Sequence, residues 1–195
     1  MRSFILSLVF LSTCMLSKAQ NLESQTQLSD EAVYLEAFGI SGLYSINYER
    51  MLLQQEPIAL AGRVGGTFTP KLSGLTDDLF GPGIPLEINF LYGQSHHLEL
   101  GAGISMNYVF YRPDGPVGVR SIGNDEFEYI YDDPDEFFIG WASVRVGYRY
   151  QKPGSGLLFR LGFTPLLPFG GYEDTELDFE KTVVPMGGIS FGYAF

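Results

Sequence analysis

The chain has 195 residues, of which 45% are hydrophobic, 15% aromatic and 18% charged, with a formal net charge of -11. That apolar content excludes a disordered chain, and the charged fraction falls below the roughly 25% that coats an ordinary soluble domain. The acidic balance argues against a nucleic-acid partner, because phosphate binding needs clustered Lys and Arg.

The opening residues read as an export signal. Arg2 supplies a positive charge, Phe4 to Leu16 an apolar stretch, and Ser17 and Ala19 the small residues before a cut. This order predicts a signal peptide over 1–19, cleaved before Gln20, then a short periplasmic segment over 20–31 and a single domain over 32–195. The apolar stretch is shorter than the roughly 20 residues a membrane helix needs, and no later segment reaches that length. Cys14, the one cysteine, lies inside the signal, so no disulfide is expected. Leu11-Ser12-Thr13-Cys14 loosely resembles a lipoprotein processing box, with Thr a poor fit before Cys.

After Ala32 the chain alternates with the period of two that marks β-strands. Ala32 to Leu53 is read as two arms folding back at Gly39-Ile40-Ser41-Gly42, where glycines permit a tight turn. The second arm turns Tyr44, Ile46 and Tyr48 to one face and Ser45, Asn47 and Glu49 to the other. The first arm is too short to fix its parity, though Glu36 prefers the polar face. From Ile58 to Thr69, Ile58, Leu60, Val64 and Phe68 oppose Ala59, Ala61, Arg63 and Thr67. Ile84 to Tyr92 sets Ile84, Leu86, Ile88, Phe90 and Tyr92 against Glu87 and Asn89. His97 to Tyr111 sets Leu98, Leu100, Ile104 and Met106 against Glu99, Gly101, Gly103 and Ser105. Phe138 to Tyr150 opposes Val144, Val146 and Tyr148 to Ser143, Arg145 and Arg149. Leu157 to Leu167 opposes Leu157, Phe159, Leu161 and Phe163 to Arg160, Gly162 and Thr164. Val183 to Phe195 closes the series.

Alternation alone does not say which solvent touches which face. The polar face decides it: Gly, Ala, Ser and Thr with a few Glu and Arg, and none of the many Lys and Glu of a water-washed sheet. Such a face suits a crowded lumen, and the bulky face, with Tyr and Phe near run ends, suits lipid bordered by aromatic belts. The connections alternate long and short: 70–83, 93–96, 112–136, 152–156 and 168–182. With both termini periplasmic, the count becomes eight, an all-β, eight-stranded antiparallel up-and-down transmembrane β-barrel. The competing reading, one unbroken strand from Ala32 to Leu53, gives seven strands and the wrong loop parity.

Eight strands leave an interior that side chains just fill. Inward Glu49, Glu87 and Glu99 with Arg63, Arg145, Arg149 and Arg160 are expected to form a lumen ion-pair network, since buried charge survives only when paired. The network predicts a plug in place of an open channel. The long connections carry most of the acid, and Asp132, Asp133, Asp135 and Glu136 are the candidate loop for a divalent cation bridging to lipopolysaccharide. Their spacing matches no known ligand loop, and a solvated acidic surface is the alternative. His96 and His97, the only histidines, fall in a predicted periplasmic turn, where neighbours in an extended chain face opposite ways. No catalytic residue, metal site or cofactor is therefore expected, and no enzymatic activity.

The stretches AVYLEAFGISGLYSINYER (32–50), IPLEINFLYGQSHHLELGAG (84–103), GYRYQKPGSGLLFRLGFTP (147–165) and GISFGYAF (188–195) resemble a family of small outer-membrane β-barrel proteins of Bacteroidota, with an OmpA-like eight-stranded architecture. The resemblance implies location and fold, and brings no ligand or catalytic residue with it. Ile189, Phe191, Tyr193 and Phe195 at alternate positions are similar to the signal read by the barrel-assembly machinery. The expected protein is thus a monomeric outer-membrane barrel with a structural or surface-interaction role. Its partners are outer-membrane lipid, lipopolysaccharide and, during biogenesis, the assembly machinery. A narrow pore for small solutes and a secreted soluble lipid-binding barrel are the alternatives.

Overall fold

The computed structural model describes residues 27–71, 79–112, 115–116, 118–123, 126–130, 133–169 and 183–195. Its strands are β1 (Glu31–Phe38), β2 (Tyr44–Gln55), β3 (Ile58–Thr69), β4 (Leu79–Gly93), β5 (His96–Tyr111), β6 (Gly118–Gly123), β7 (Glu126–Ile130), β8 (Asp135–Gln151), β9 (Gly156–Phe163), β10 (Leu166–Phe169) and β11 (Gly187–Ala194). Every pairing is antiparallel, and the order β8-β5-β4-β3-β2-β1-β11-β9 returns to β8. The ladder is closed, so the sheet has no free edge around its girth.

β9 and β10 act as one barrel strand. Both pair with β8 in one register, Gly147 opposite Gly162 and Ser143 opposite Leu166. The break falls at Thr164-Pro165, where proline has no N–H to give the ladder. Counting the two as one, the described residues form an eight-stranded antiparallel barrel. β6 and β7 form a separate hairpin in the connection from β5 to β8, a region read from sequence as plain loop.

The predicted fold-back near Gly39 is present as a short 3-10 turn over Gly39–Ser41. Gly39 and Gly42 take φ of 83° and 80°, a left-handed backbone that glycine adopts without penalty. The turn tucks into the barrel end it spans, and Ile40 is wholly buried. Gly103 makes room for it: a Cβ there would stand 2.8 Å from Ile40 Cδ1. At the opposite end, Leu28 packs on the inward Met51, Ala59, Ala61 and Leu91. Its carbonyl accepts a hydrogen bond from Gln54 Nε2 at 3.1 Å, and the Gln27 carbonyl accepts one from Gly154 N–H at 2.9 Å.

Four boundaries differ from the alternation, the last run starting as a strand at Gly187 instead of Val183. β4 begins at Leu79 instead of Ile84, β8 at Asp135 instead of Phe138, and His96 belongs to β5 instead of a turn. Leu79 pairs with Tyr111, and Tyr111 with Asp135, so each ladder extends its neighbour. Near the barrel ends both strand faces meet similar surroundings, and the hydrophobic period that marks a strand fades there while the backbone pairing continues.

The inward face tolerates little added bulk. A Cβ at Gly101 would lie 2.6 Å from Glu87 Oε1 and 3.2 Å from Arg145 Cβ, whereas one at the outward Gly66 would meet nothing within 4 Å. Gly101→Ala is expected to lower unfolding free energy by about 1–3 kcal/mol, the usual range for overpacking. Gly66→Ala should change it little. Urea midpoints of the two refolded variants, compared with the parent, check this.

Candidate functional site, a paired-charge lumen

All eight strands of the barrel deliver polar side chains to its axis. β1 supplies Glu36, β2 Glu49, β3 Arg63, β4 Glu87, β5 Glu99, β8 Arg145 and Arg149, and β9 Arg160, all buried. From β11, the Ser190 hydroxyl donates to Glu36 Oε1 at 3.4 Å. Each stands on the inward side because the strand period places it there, with apolar neighbours turned outward.

The upper half of the network, toward the inward turn, is a closed square. Arg63 donates to Glu36 and, through Nη1, to Glu87 Oε2 at 2.6 Å. Arg145 donates to Glu36 and, through Nε, to Glu87 Oε1 at 2.8 Å. Two carboxylates and two guanidiniums alternate, so each charge has an opposite charge on both sides. Arg63 Nε also donates to Asn47 Oδ1 at 2.9 Å.

The lower half solves a harder problem, since Arg149 and Arg160 are directly opposed across β8 and β9. Like charges facing each other on neighbouring strands repel. Each is drawn to a carboxylate from elsewhere in the barrel: Arg149 Nη2 to Glu49 Oε1 at 2.5 Å, and Arg160 to Glu99. Arg149 also donates through Nε to Gln151 Oε1 at 2.9 Å. Tyr34 joins the halves. Its hydroxyl accepts from Arg160 and donates to Glu49 Oε2 at 3.3 Å, while the Arg160 and Arg63 guanidiniums lie 4.8 and 5.6 Å from its ring centroid. A longer contact of 3.8 Å between Arg145 Nε and Glu99 Oε1 completes the link.

The structure therefore brings together the seven residues singled out from sequence and adds Tyr34 and Glu36, the latter expected on the polar face but not in the network. Four carboxylates face four guanidiniums, where the alternation alone set three against four. The short β1 arm hid Glu36's parity. The missing signal was the balance itself: an unmatched buried guanidinium calls for one more inward carboxylate.

The remaining candidates stand apart. Asp135 and Glu136 occupy the first rungs of β8, opposite Tyr111 and Phe110, so they are strand residues and not part of a loop. Asp133 is exposed, and Asp132 lies outside the described residues. Among the described residues no three His, Cys, Asp or Glu side chains are placed to hold a metal. His96 points outward, its Nδ1 2.6 Å from the Tyr148 hydroxyl, while His97 points inward. Phe191, Tyr193 and Phe195 are exposed on the outer surface, with Ile189 half-buried among them.

Comparison with family models and with curated proteins gives no match. Among solved structures the chain is similar to the N-terminal β-barrel domain of Pseudomonas aeruginosa OprF. The two share 14% identity with a TM-score of 0.45, over 87% of this chain and 100% of that one. By its own pairing and register, the molecule belongs to the class of closed eight-stranded antiparallel barrels.

Removing one partner from a buried pair strands the other, a loss of about 3–5 kcal/mol. Arg63→Met, which leaves Glu36 and Glu87 each short of one partner, is expected to fall in that range. The deficit should persist in high salt, because buried pairs are screened far less than exposed ones. Urea unfolding at low and high ionic strength checks both statements.

Proposed function

We propose that the protein is an integral outer-membrane barrel with a structural or surface-interaction role, its lumen plugged by the Glu–Arg network and its long loops available for recognition. One observation carries the membrane assignment: the outward face is an uninterrupted apolar band. Outward positions from Ile84 to Tyr92 on β4 and from Leu98 to Tyr108 on β5 bear no charge. Leu35, Ile88 and Phe191, on three different strands, are 60%, 56% and 62% exposed. A monomer in water rarely shows so large a contiguous apolar surface, and acyl chains are the solvent that matches it.

The borders of the band support the same reading. Tyr48, Tyr92, Tyr148 and Tyr193 lie outward toward the short-turn end, and Phe68, Tyr108, Phe110 and Phe138 toward the long-loop end. Rings gather there, Tyr108 and Phe138 at 4.8 Å and Phe80 and Phe110 at 5.3 Å between centroids. Aromatic girdles of this kind sit at the headgroup level. A soluble lipid carrier needs the inverse, an apolar interior inside a polar coat. An export signal over 1–19 and the alternate aromatic residues of β11 fit delivery to, and assembly in, the outer membrane.

Cell fractionation with heat-modifiable gel mobility tests the assignment. The folded chain is expected in the outer-membrane fraction, running faster unheated than boiled. Recovery as a native monomer in detergent-free buffer would overturn it. Planar-bilayer recording separates the plug from the pore: no steady single-channel current is expected from the parent protein. Ile88→Arg, in contrast with an inward change, is expected to cost about 2–4 kcal/mol in a bilayer near its midplane. Unfolding from lipid vesicles measures it.

A further inference from the structure

One cluster on the outer face, at the short-turn end, takes no part in the lumen's charge pairing. His96 opens β5 and stands opposite Tyr150 on β8. The next outward residue of β5 is Leu98, which pairs with Tyr148 on one side and Tyr92 on the other. His96 Nδ1 lies 2.6 Å from the Tyr148 hydroxyl, and the imidazole is 5.2 Å from the Tyr150 ring. Either arrangement of protons in this pair leaves one donor to spare. If the phenol donates, the imidazole carries its proton on Nε2 and offers that N–H; if Nδ1–H donates, the phenol O–H is left to give. The second observation is charge. Gln151 donates its backbone N–H to the Ser95 carbonyl at 3.0 Å, which sets Lys152 beside the turn that leads into His96. Lys152 and His96 are both exposed. In a chain of net charge -11, no Asp or Glu occurs from Gly93 to Leu98 or from Tyr148 to Gly156. The acid of this end, Asp30, Glu31 and Glu56, stands at the start of β1 and in the turn after β2. Among the described residues the other Lys or Arg outside the lumen at this end is Arg50, and it faces Glu31 across the β1–β2 ladder.

We propose that His96, Tyr148 and Lys152 hold the phosphate of a glycerophospholipid of net negative charge, its acyl chains lying along Tyr92, Leu98 and Leu100. The inference rests on the membrane reading above, which sets this end among the headgroups of the periplasmic leaflet. An anion follows from the donors: an ammonium and one hydrogen held in place by the His96–Tyr148 pair, with no carboxylate in either turn to compete, suit a phosphate oxygen. A lipid follows from what adjoins them. Tyr92, Leu98 and Leu100 are exposed and continue from the cluster into the apolar band, so a phosphate at the cluster places attached chains on an oily surface. The headgroup class follows from the missing acid. A zwitterionic lipid brings an ammonium that meets Lys152 and finds no carboxylate in these turns, whereas phosphatidylglycerol carries no charge beyond its phosphate.

The chain has 2 histidines, which supplies a direct readout: His96 in the cluster, and His97, buried in the lumen, as an internal reference. The exported chain, isotope-labelled at histidine and folded in uncharged maltoside micelles, is titrated with dioctanoyl phosphatidylglycerol while the imidazole NMR signals are followed. The His96 signal is expected to move saturably and the His97 signal to stay. Dioctanoyl phosphatidylethanolamine should bind about fivefold more weakly, the effect of one charge near a membrane surface. Lys152→Gln should weaken phosphatidylglycerol binding by a similar factor of about five. Tyr148→Phe should weaken it about three- to tenfold, the yield of one net hydrogen bond. Arg50→Gln, which removes a cation that Glu31 already faces, should leave it unchanged. Equal losses in Arg50→Gln and Lys152→Gln mean diffuse attraction between charges, and overturn the proposal. So does glycerol phosphate bound as tightly as the lipid, which makes the site one for a free phosphate ester. A chain that keeps its heat-modifiable mobility but shows no saturable shift at His96 overturns the lipid site and leaves the membrane assignment standing. That assignment falls instead by recovery of a native monomer in detergent-free buffer.

Discussion

A guanidinium taken out of water is stable only beside a carboxylate that has left water with it, and inside this barrel that condition governs the interior of every strand. Partners are remote in sequence: Arg145 and Glu36 are 109 residues apart, Arg160 and Tyr34 126, Ser190 and Glu36 154. Each of these contacts ties β1 to a strand from the far end of the chain, and β1 also pairs with β11 there. Backbone pairing and charge pairing thus support each other. The ladder sets which atoms can meet, and the ion pairs reward only the register that lets them meet. A one-residue slip of β3, β8 or β9 would turn that strand's buried arginines to the apolar face.

Along its axis the barrel is layered by polarity. At the short-turn end Leu28 lies on Met51, Ala59, Ala61 and Leu91. The charged square and the Tyr34-linked pairs fill the middle. Ile40 and its turn cover them, and a cavity lined by Val109, Ile139, Trp141 and Leu166 together with Thr69 and Asn107 follows. Small residues make the layering possible, because a lumen of eight strands cannot hold long side chains at every inward position. Gly101 yields its volume to Glu87 and Arg145, and Gly103 yields to Ile40.

The sequence reveals the middle of this fold better than its ends. Where one face is apolar and the other is not, as from Ile84 to Tyr92, period two identifies both the strand and its inward side. Arg63, Glu87, Glu99, Arg145, Arg149 and Arg160 can be placed from it alone. Where both faces have similar surroundings, at Leu79 or Asp135, the period vanishes and only the neighbouring ladder reveals the strand. The β6–β7 hairpin was invisible for the same reason. The turn at Gly39 could be located by its glycines, but its inward tilt depends on the space left by Gly103, a contact between residues far apart in sequence. Glu36 lay between these cases, on an arm too short for parity yet demanded by the arithmetic of buried charge.

The distribution of that charge along the chain has a consequence for how the halves meet. Of the five buried Glu and Arg side chains contributed by β1 to β5, four are carboxylates, while β8 and β9 bring three arginines and no buried carboxylate. Before closure the first five strands therefore present an anionic trough and the remainder a cationic one, joined by the connection that holds the β6–β7 hairpin. Mutual attraction between two such troughs favours wrapping into one cylinder over association with a like half from another molecule. A nick within that connection should accordingly leave two fragments that seek each other out.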